Sequence, residues 1–238
     1  MVKHWVIPDI HGCSKTIRAL INEQIKPSKH DWLYFLGDYI DRGPDAKGVI
    51  DFILSLQEQE YNIRTIRGNH EDYMLRIYNN QKVPRKFLGI PTGDKLKKEW
   101  YKFGGKETLA SFNIKDVKEM PKKYLEWFEN LEYYIILDDY ILVHAGLNFD
   151  IEDPFEDPHG MMWIKEFKVD RNKIGNRKVI HGHVPVSLDF ISLVKSADSF
   201  DFIDLDNGVY MDGKESFGNL VALELTNLEL VVQHNLDM

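Results

Sequence analysis

Six potential metal donors stand at the ends of five short apolar runs. Asp9 and His11 follow His4–Pro8 in Asp9-Ile10-His11-Gly12. Asp38 follows Trp32–Leu36 in Gly37-Asp38-Tyr39-Ile40-Asp41-Arg42-Gly43. Asn69 follows Ile63–Arg67 in Gly68-Asn69-His70-Glu71. His144 follows Tyr140–Val143, and His183 follows Lys178–Ile180 in His181-Gly182-His183. Carboxylates, an amide oxygen and imidazoles, with no thiolate, suit divalent manganese, iron or zinc rather than copper or an iron–sulfur cluster. One histidine after a strand would carry little weight, but six donors at five strand ends point to a bound ion. A carboxylate has two oxygens, so Asp38 is the natural bridge between two ions.

Elements must bring those donors together. Short apolar runs closed by glycine read as buried strands. Between the first three, Lys15–Gln24 places Ile17, Leu20 and Ile21 at helical spacing, and Asp45–Leu56 does the same with Val49, Ile50, Ile53 and Leu54. Asp9 and Asp38 are 29 residues apart, and Asp38 and Asn69 are 31 apart. That is the length of a βαβ unit. The expectation is an α/β fold whose parallel strands deliver polar residues at one edge, where such folds bind ligands. Residues 72–130 read as a helical elaboration broken by Pro84, Pro91, Gly93, Gly104-Gly105 and Pro121, and 149–160 as a loop. From Ser187 onward the pattern reads as strands with turns at Asp206-Asn207-Gly208 and Asp212-Gly213, so the sheets should be mixed. No repeat or linker divides the chain, and one domain over 1–238 is expected.

Composition narrows the function classes. The 238 residues carry 30 Lys+Arg against 38 Asp+Glu, a net charge of −8. General nucleic-acid binding needs net positive surface and is not expected. No apolar run is long enough to span a bilayer, and none near the N-terminus suits a secretory signal. Cys13 is the only cysteine, so no intrachain disulfide can form. A reducing, cytoplasmic setting fits.

The five motifs, in this order, resemble those of the phosphoprotein phosphatases, the calcineurin-like metallophosphoesterases. The resemblance runs from residue 4 to about 225 and looks like the bacterial serine/threonine type. It implies a four-layer αββα fold, a mixed β-sandwich flanked by helices with a helical insert. It assigns one ion to Asp9, His11 and Asp38, and a second to Asp38, Asn69, His144 and His183, with manganese expected and iron or zinc as alternatives. Arg42 and Asn69 would bind the phosphoryl group, and His70, oriented by Asp41, would be the general acid. The implied reaction is hydrolysis of phosphoserine and phosphothreonine in proteins by a metal-bridging hydroxide. Two divalent ions less two aspartates leave two positive charges. A hydroxide removes one and Arg42 restores it, which matches a phosphate dianion. The relatives' Trp-Ile-Arg carries a second phosphate clamp on its arginine, and the chain departs from it at Trp163-Ile164-Lys165, so the resemblance puts Lys165 in that phosphate-binding place. Lys165 keeps the charge and loses the bidentate fork.

A second reading stays open: dinucleoside polyphosphate hydrolases of bacteria resemble the same motif series. The partner is then a phosphorylated protein or a nucleotide-type phosphoester. A third is an inactive scaffold for phosphorylated partners. From Lys82 to Lys106, eight basic residues stand against Asp94 and Glu99, either a solvated face or a dock for an acidic substrate. Within that segment Trp100, Tyr101 and Phe103 are read as core packing more readily than as base-stacking groups. His181, Cys13 and Arg67 are read as structural, Arg67 as an ion-pair partner. The acidic residues at 150–157 are read as a solvated loop.

Overall fold

The computed structural model describes residues 2–81, 86–87, 90–91, 95–197 and 199–238, with side chains for 2–79, 95–197 and 199–238. Lys82, Arg85 and Asp94 of the basic segment, and the side chain of Lys86, lie outside the described residues.

In chain order the elements are β1 (His4–Ile7), α1 (Ser14–Ala19) running into a π-helical turn at Leu20–Ile25, β2 (Trp32–Phe35), α2 (Ala46–Glu58), β3 (Asn62–Thr65) and α3 (Asn69–Gln81). There follow β4 (Lys86–Phe87), β5 (Ile90–Pro91), α4 (Lys95–Trp100), α5 (Gly105–Ser111), α6 (Lys122–Glu129), β6 (Tyr134–Ile136) and β7 (Tyr140–Val143). The last are α7 (Pro158–Trp163), β8 (Lys178–His181), α8 (Leu188–Ser196), β9 (Phe202–Asp204), β10 (Asn219–Glu224) and β11 (Leu230–His234).

Two mixed sheets result. The first has the order β11-β10-β1-β2-β3, with β1, β2 and β3 parallel and β10 antiparallel to β1. The second has the order β6-β7-β8-β9, with β7, β8 and β9 parallel. Side-chain alternation sorts the core into layers. Val6, Tyr34, Val221 and Leu223 of the first sheet pack with Ile135, Leu142, Ile180 and Ile203 of the second. Their sequence neighbours Trp5, Ile7, Leu33, Phe35 and Ala222 face away, onto Ile17, Val49, Ile53 and Met74 of the helices. On the far side, Ile141, Val143 and Val179 pack with Leu147, Met161 and Ile174. The chain is therefore two mixed sheets flanked by helices. Both parallel sets end at the same rim, where the polar motifs emerge.

The first three strands, the first two helices and the mixed pairing match the sequence reading. Residues 188–196 do not: they form α8, where strands were expected. Ser187 caps it by accepting from the Phe190 N–H at 3.2 Å, and Ile191 and Val194, three apart, are its buried face. That run is too short for its period to separate a helix from a strand by sequence. The 149–160 loop also holds more structure than expected. Asp153 and Asp157 cap the turn at Pro154–Glu156 and α7. Two of the clustered acids thus act as helix caps. Among the described residues, no helix is long and apolar enough to cross a membrane.

The C-terminal segment closes back on the first motif. Cys13, at the N-cap of α1, makes no capping bond. Asp237 takes that role from the other end of the chain, accepting from the N–H of Lys15 at 3.0 Å, the N–H of Thr16 at 2.9 Å and Thr16 Oγ1 at 2.7 Å. Asp237→Ala is expected to cost about 1 kcal/mol, the usual value of a helix cap. Urea unfolding checks it, and an unchanged midpoint would contradict the capping role.

Candidate active site and metal centre

Asp9, His11, Asp38, Asn69, His70 and His144 are all buried at the shared rim, and His183 is half-buried beside them. Two groups of donor atoms lie within 4.8 Å of one another: His11, Asp38 and His70, and Asp38, His144 and His183. Asp38 belongs to both.

The protons of two imidazoles can be placed from their partners. His11 Nδ1 lies 3.0 Å from the Ile40 carbonyl, and His144 Nδ1 lies 3.0 Å from the Leu36 carbonyl. A carbonyl oxygen only accepts, so each Nδ1 carries the hydrogen. Burial lowers the pKa of both rings, so both are neutral and each Nε2 is a bare lone pair. Those lone pairs face acceptors. His11 Nε2 is 3.6 Å from Asp38 Oδ2, and His144 Nε2 is 3.5 Å from Asp38 Oδ1 and 2.9 Å from Asn69 Oδ1. Lone pair against lone pair is repulsive, unless a cation lies between them. The two oxygens of Asp38 serve different imidazoles, which is the arrangement a bridging carboxylate requires. Further atoms fit an ion: His183 Nε2 and Asp206 Oδ2 are buried without a hydrogen-bond partner. Asp9 stands beside the two donor groups, its Oδ1 4.0 Å from His144 Nδ1 and both its oxygens 3.2 Å from the His183 N–H. Burial and the charges of Asp206 and Asp38 push its carboxyl well above the usual range. Buried carboxylates held together in this way lack a countercharge. The donor set therefore fits two divalent cations.

Strain at this rim is high and is held by identifiable bonds. His11, Asp38, Asp41, Arg42 and His183 all have φ between 45° and 77°, a region that costs energy for residues other than glycine. Glu71 compensates. Buried completely, its carboxylate accepts from the N–H groups of Asp38 (2.9 Å), Tyr39 (2.8 Å), Ile40 (3.2 Å) and Gly68 (3.0 Å). It ties the loop after β2 to the loop after β3. Asp38 also accepts from the His70 N–H at 3.1 Å, at the start of α3, where the helix dipole favours an anion. Gly68 must lack a side chain, because a Cβ there would run into Asp38 Oδ1.

Beside the donors lies a hydrogen-bonded histidine–aspartate pair. His70 Nδ1 is 2.6 Å from Asp41 Oδ2. Burial alone would lower the imidazole pKa, but the charge of Asp38 and the bond to Asp41 hold it above its ordinary value. The helical insert fixes Asp41 in turn. Trp100 Nε1 donates to Asp41 Oδ2 at 2.8 Å, and Thr108 Oγ1 donates to Oδ1 at 2.6 Å. Gly104, at φ 101°, sits against the backbone N of Arg42, where a Cβ could not fit. The Arg42 guanidinium lies 4.1 Å from the ring of Tyr210, whose edge meets His11 at 5.0 Å. A cavity of about 280 Å³ opens over this centre, lined by Arg42, Lys165, Asn69 and a group of aromatic side chains.

The structure thus brings together all ten residues singled out by sequence. It leaves His181 outside both donor groups, packed against Phe167 and Phe202. Arg67 is structural but forms no ion pair among the described residues. It donates to the Phe128 and Glu129 carbonyls at 2.9 and 2.8 Å. Sequence reasoning missed Tyr210, Thr108 and the hydrogen bond of Trp100, and gave Glu71 no role although its motif was quoted. Glu71→Ala leaves four buried amides without an acceptor. At about 1–3 kcal/mol per orphaned group, a loss of at least 3 kcal/mol in urea unfolding is expected, and a loss under 1 kcal/mol would contradict the tying role.

Comparison with known proteins agrees with this geometry. Residues 2–227 match the model of the calcineurin-like phosphoesterases. A symmetrical bis(5'-nucleosyl)-tetraphosphatase of Buchnera aphidicola (subspecies Schizaphis graminum) is 35% identical over 82 residues, covering 34% of this chain and 29% of that protein. The asymmetrical bis(5'-nucleosyl)-tetraphosphatase PrpE of Anoxybacillus flavithermus is 26% identical over 76% of this chain and 78% of that one. The crystal structure of a cold-active protein-tyrosine phosphatase from a psychrophilic Shewanella species superposes with a TM-score of 0.60. It is 14% identical, over 98% of this chain and 81% of the other, a likeness of fold. The chain belongs to the calcineurin-like phosphoesterase family.

Proposed function

We propose that the chain hydrolyses dinucleoside polyphosphates with two divalent ions, manganese being the working choice. The observation that carries the hydrolytic reading is Asp38, with each oxygen facing the bare Nε2 of a different imidazole. When bound, two such ions supply Lewis acidity and an activated water for in-line displacement. Asp9, His11, Asp38, Asn69, His144 and His183 would hold them. Arg42 binds phosphoryl oxygens, its guanidinium plane set by Tyr210. Lys165, exposed at the cavity edge, meets a further phosphate. Two features support a nucleotide substrate: the two relatives named first above are nucleosyl-tetraphosphatases, and Tyr73, Phe103 and Trp163 line one side of the cavity.

His70 is the proton donor to the leaving group, and Asp41 keeps its Nδ1 engaged. A specific observation favours phosphoserine or phosphothreonine in a protein as the second reading: this dyad is held by Trp100 and Thr108, and an alkoxide leaving group needs a proton far more than a nucleotide phosphate does. Diadenosine tetraphosphate and a phosphoserine peptide, assayed side by side on manganese-loaded protein, separate the two. Faster turnover of the dinucleotide is expected, and the reverse overturns the choice of substrate.

Two variants test the roles. Asp38→Asn is expected to lose bound metal, measured by elemental analysis, together with activity. Retention of two ions at wild-type affinity contradicts the bridge. His70→Asn is expected to keep its metal and lose about 10²–10⁴-fold on an alkyl phosphate, with a smaller loss on p-nitrophenyl phosphate. The pH dependence follows from the sign of the shift. The Asp38 charge and the bond to Asp41 raise the His70 pKa against its burial, so acid catalysis is present below that pKa and fades as pH rises through it. The alkaline fall in kcat for the alkyl phosphate should vanish in His70→Asn, and a fall that persists unchanged assigns it to another group.

A further inference from the structure

The cavity has a wall that the hydrolytic chemistry does not use. From His70 a continuous series of rings runs outward along one side. Phe103 meets His70 edge-on with centroids 6.3 Å apart, and Tyr73 meets Phe103 at 6.2 Å. Trp163 follows Tyr73 at 5.8 Å, and His159 stacks on Trp163 at 6.0 Å. Trp163 is anchored by its Nε1, which donates to Asp72 Oδ2 at 3.1 Å. Phe103 sits one residue before Gly104, so its place is fixed against Arg42.

Phe103 is 45% exposed. It is the only aromatic among the large hydrophobic side chains that are exposed among the described residues, and Val184, exposed at 37%, lines the same cavity. Two exposed apolar groups thus line one charged cavity, where a bound ligand would cover them.

Resting on the dinucleoside polyphosphate reading above, we infer that Phe103, with Tyr73 and Trp163 behind it, is the stacking face for one nucleobase of the substrate. The chemistry of the wall selects this class. Phosphoserine itself has no ring to offer it. The ring of an aryl phosphate is bonded through one oxygen to the phosphorus under attack, so it reaches only the start of the series beside His70. A base set off by a ribose and further phosphates reaches along the series, and Lys165 stands at the same cavity to meet the added phosphate charge. Every base presents a π-face, so such a platform accepts different bases.

Two measurements test the inference. The first is kinetic, on manganese-loaded protein with diadenosine tetraphosphate. Phe103→Ala is expected to raise KM about tenfold, within what one base on an aromatic face contributes, with kcat within threefold of wild type. Phe103→Trp should restore KM. An unchanged KM in Phe103→Ala, with the dinucleotide still turned over, overturns the stacking face and leaves the substrate reading standing. The second is calorimetric and independent of turnover: titration with AMP, ribose 5-phosphate and phenyl phosphate, each as the non-hydrolysable phosphonate in which a methylene replaces the ester oxygen. AMP is expected to bind about tenfold more tightly than ribose 5-phosphate, and the ratio should fall toward one in Phe103→Ala. If the dinucleotide is not turned over yet that ratio holds and collapses in the variant, the stacking face stands and the substrate reading falls. Equal binding of AMP and ribose 5-phosphate overturns the stacking face. So does phenyl phosphate binding as tightly as AMP, which would mark a site for aryl phosphates.

Discussion

The site depends on one electrostatic conflict. The protons of His11 and His144 are committed to the carbonyls of Ile40 and Leu36. Their other nitrogens, bare, are aimed at the two oxygens of a buried aspartate. Burial works to raise the Asp38 pKa, but the charge of His70 beside it favours the ionised form, so the carboxylate is held below the usual range. A fold does not assemble acceptors against acceptors for stability, since each such contact costs rather than contributes. The arrangement makes sense as a receptor for cations. The histidine orientations are second-order consequences of backbone carbonyls at the ends of β2 and its following loop, so the strand ends set the ligand geometry as much as the ligands do.

Holding that conflict in place requires bonds that do not themselves face the substrate. The loop after β2 carries Asp38, Asp41 and Arg42 in left-handed backbone. Left alone it would relax. Glu71 binds three of its amides and one from the loop after β3. Burial and the Asp38 charge push the Glu71 pKa up to about 8, against the pull of those amides. That shift favours the neutral carboxyl of Glu71, whose oxygens still accept from the amides, and ions at Asp38 would offset the charge that drives it. Structural tie and metal centre are coupled through that pair.

Much of this was legible in the sequence because it is local. Each motif places its donor within a few residues of a strand end, and strand ends are marked by short apolar runs and glycines. Asp9, His11, Asp38, Asn69, His144 and His183 could be read off in that way, and so could the alternation of strands and helices before α3. What was not legible is contact between distant segments. Trp100 read as core because an indole in an amphipathic stretch usually is. It is core, fully buried, yet its one polar atom reaches Asp41, 59 positions away. Tyr210 follows a turn signal, Asp206-Asn207-Gly208, which says where the chain bends and nothing of the guanidinium it meets. Arg67 looked like an ion-pair partner, but three-dimensional packing offers it carbonyls instead. Helix α8 was missed for a different reason: nine residues hold too few turns for the hydrophobic period to declare itself.

The insert between α3 and α6 links two properties that could have been independent. Trp100, Gly104 and Thr108 lock the Asp41–Arg42 turn, and in the function proposed above they act on chemistry at the phosphoryl group. Phe103, between two of them in sequence, faces the cavity, and in the same proposal it acts on what the phosphoryl group is attached to. The backbone that carries it is pinned by Trp100 on one side and by Gly104 on the other. A side-chain change at Phe103 can therefore alter recognition while the turn stays closed, because its ring meets the edges of His70 and Tyr73 and the turn is held by Trp100, Thr108 and Gly104. A backbone change at the same point, such as an inserted residue, would lift Gly104 from Arg42 and disturb the clamp on phosphate together with the substrate wall. Divergence of substrate on this scaffold is physically easier by substitution at the ring than by lengthening the insert.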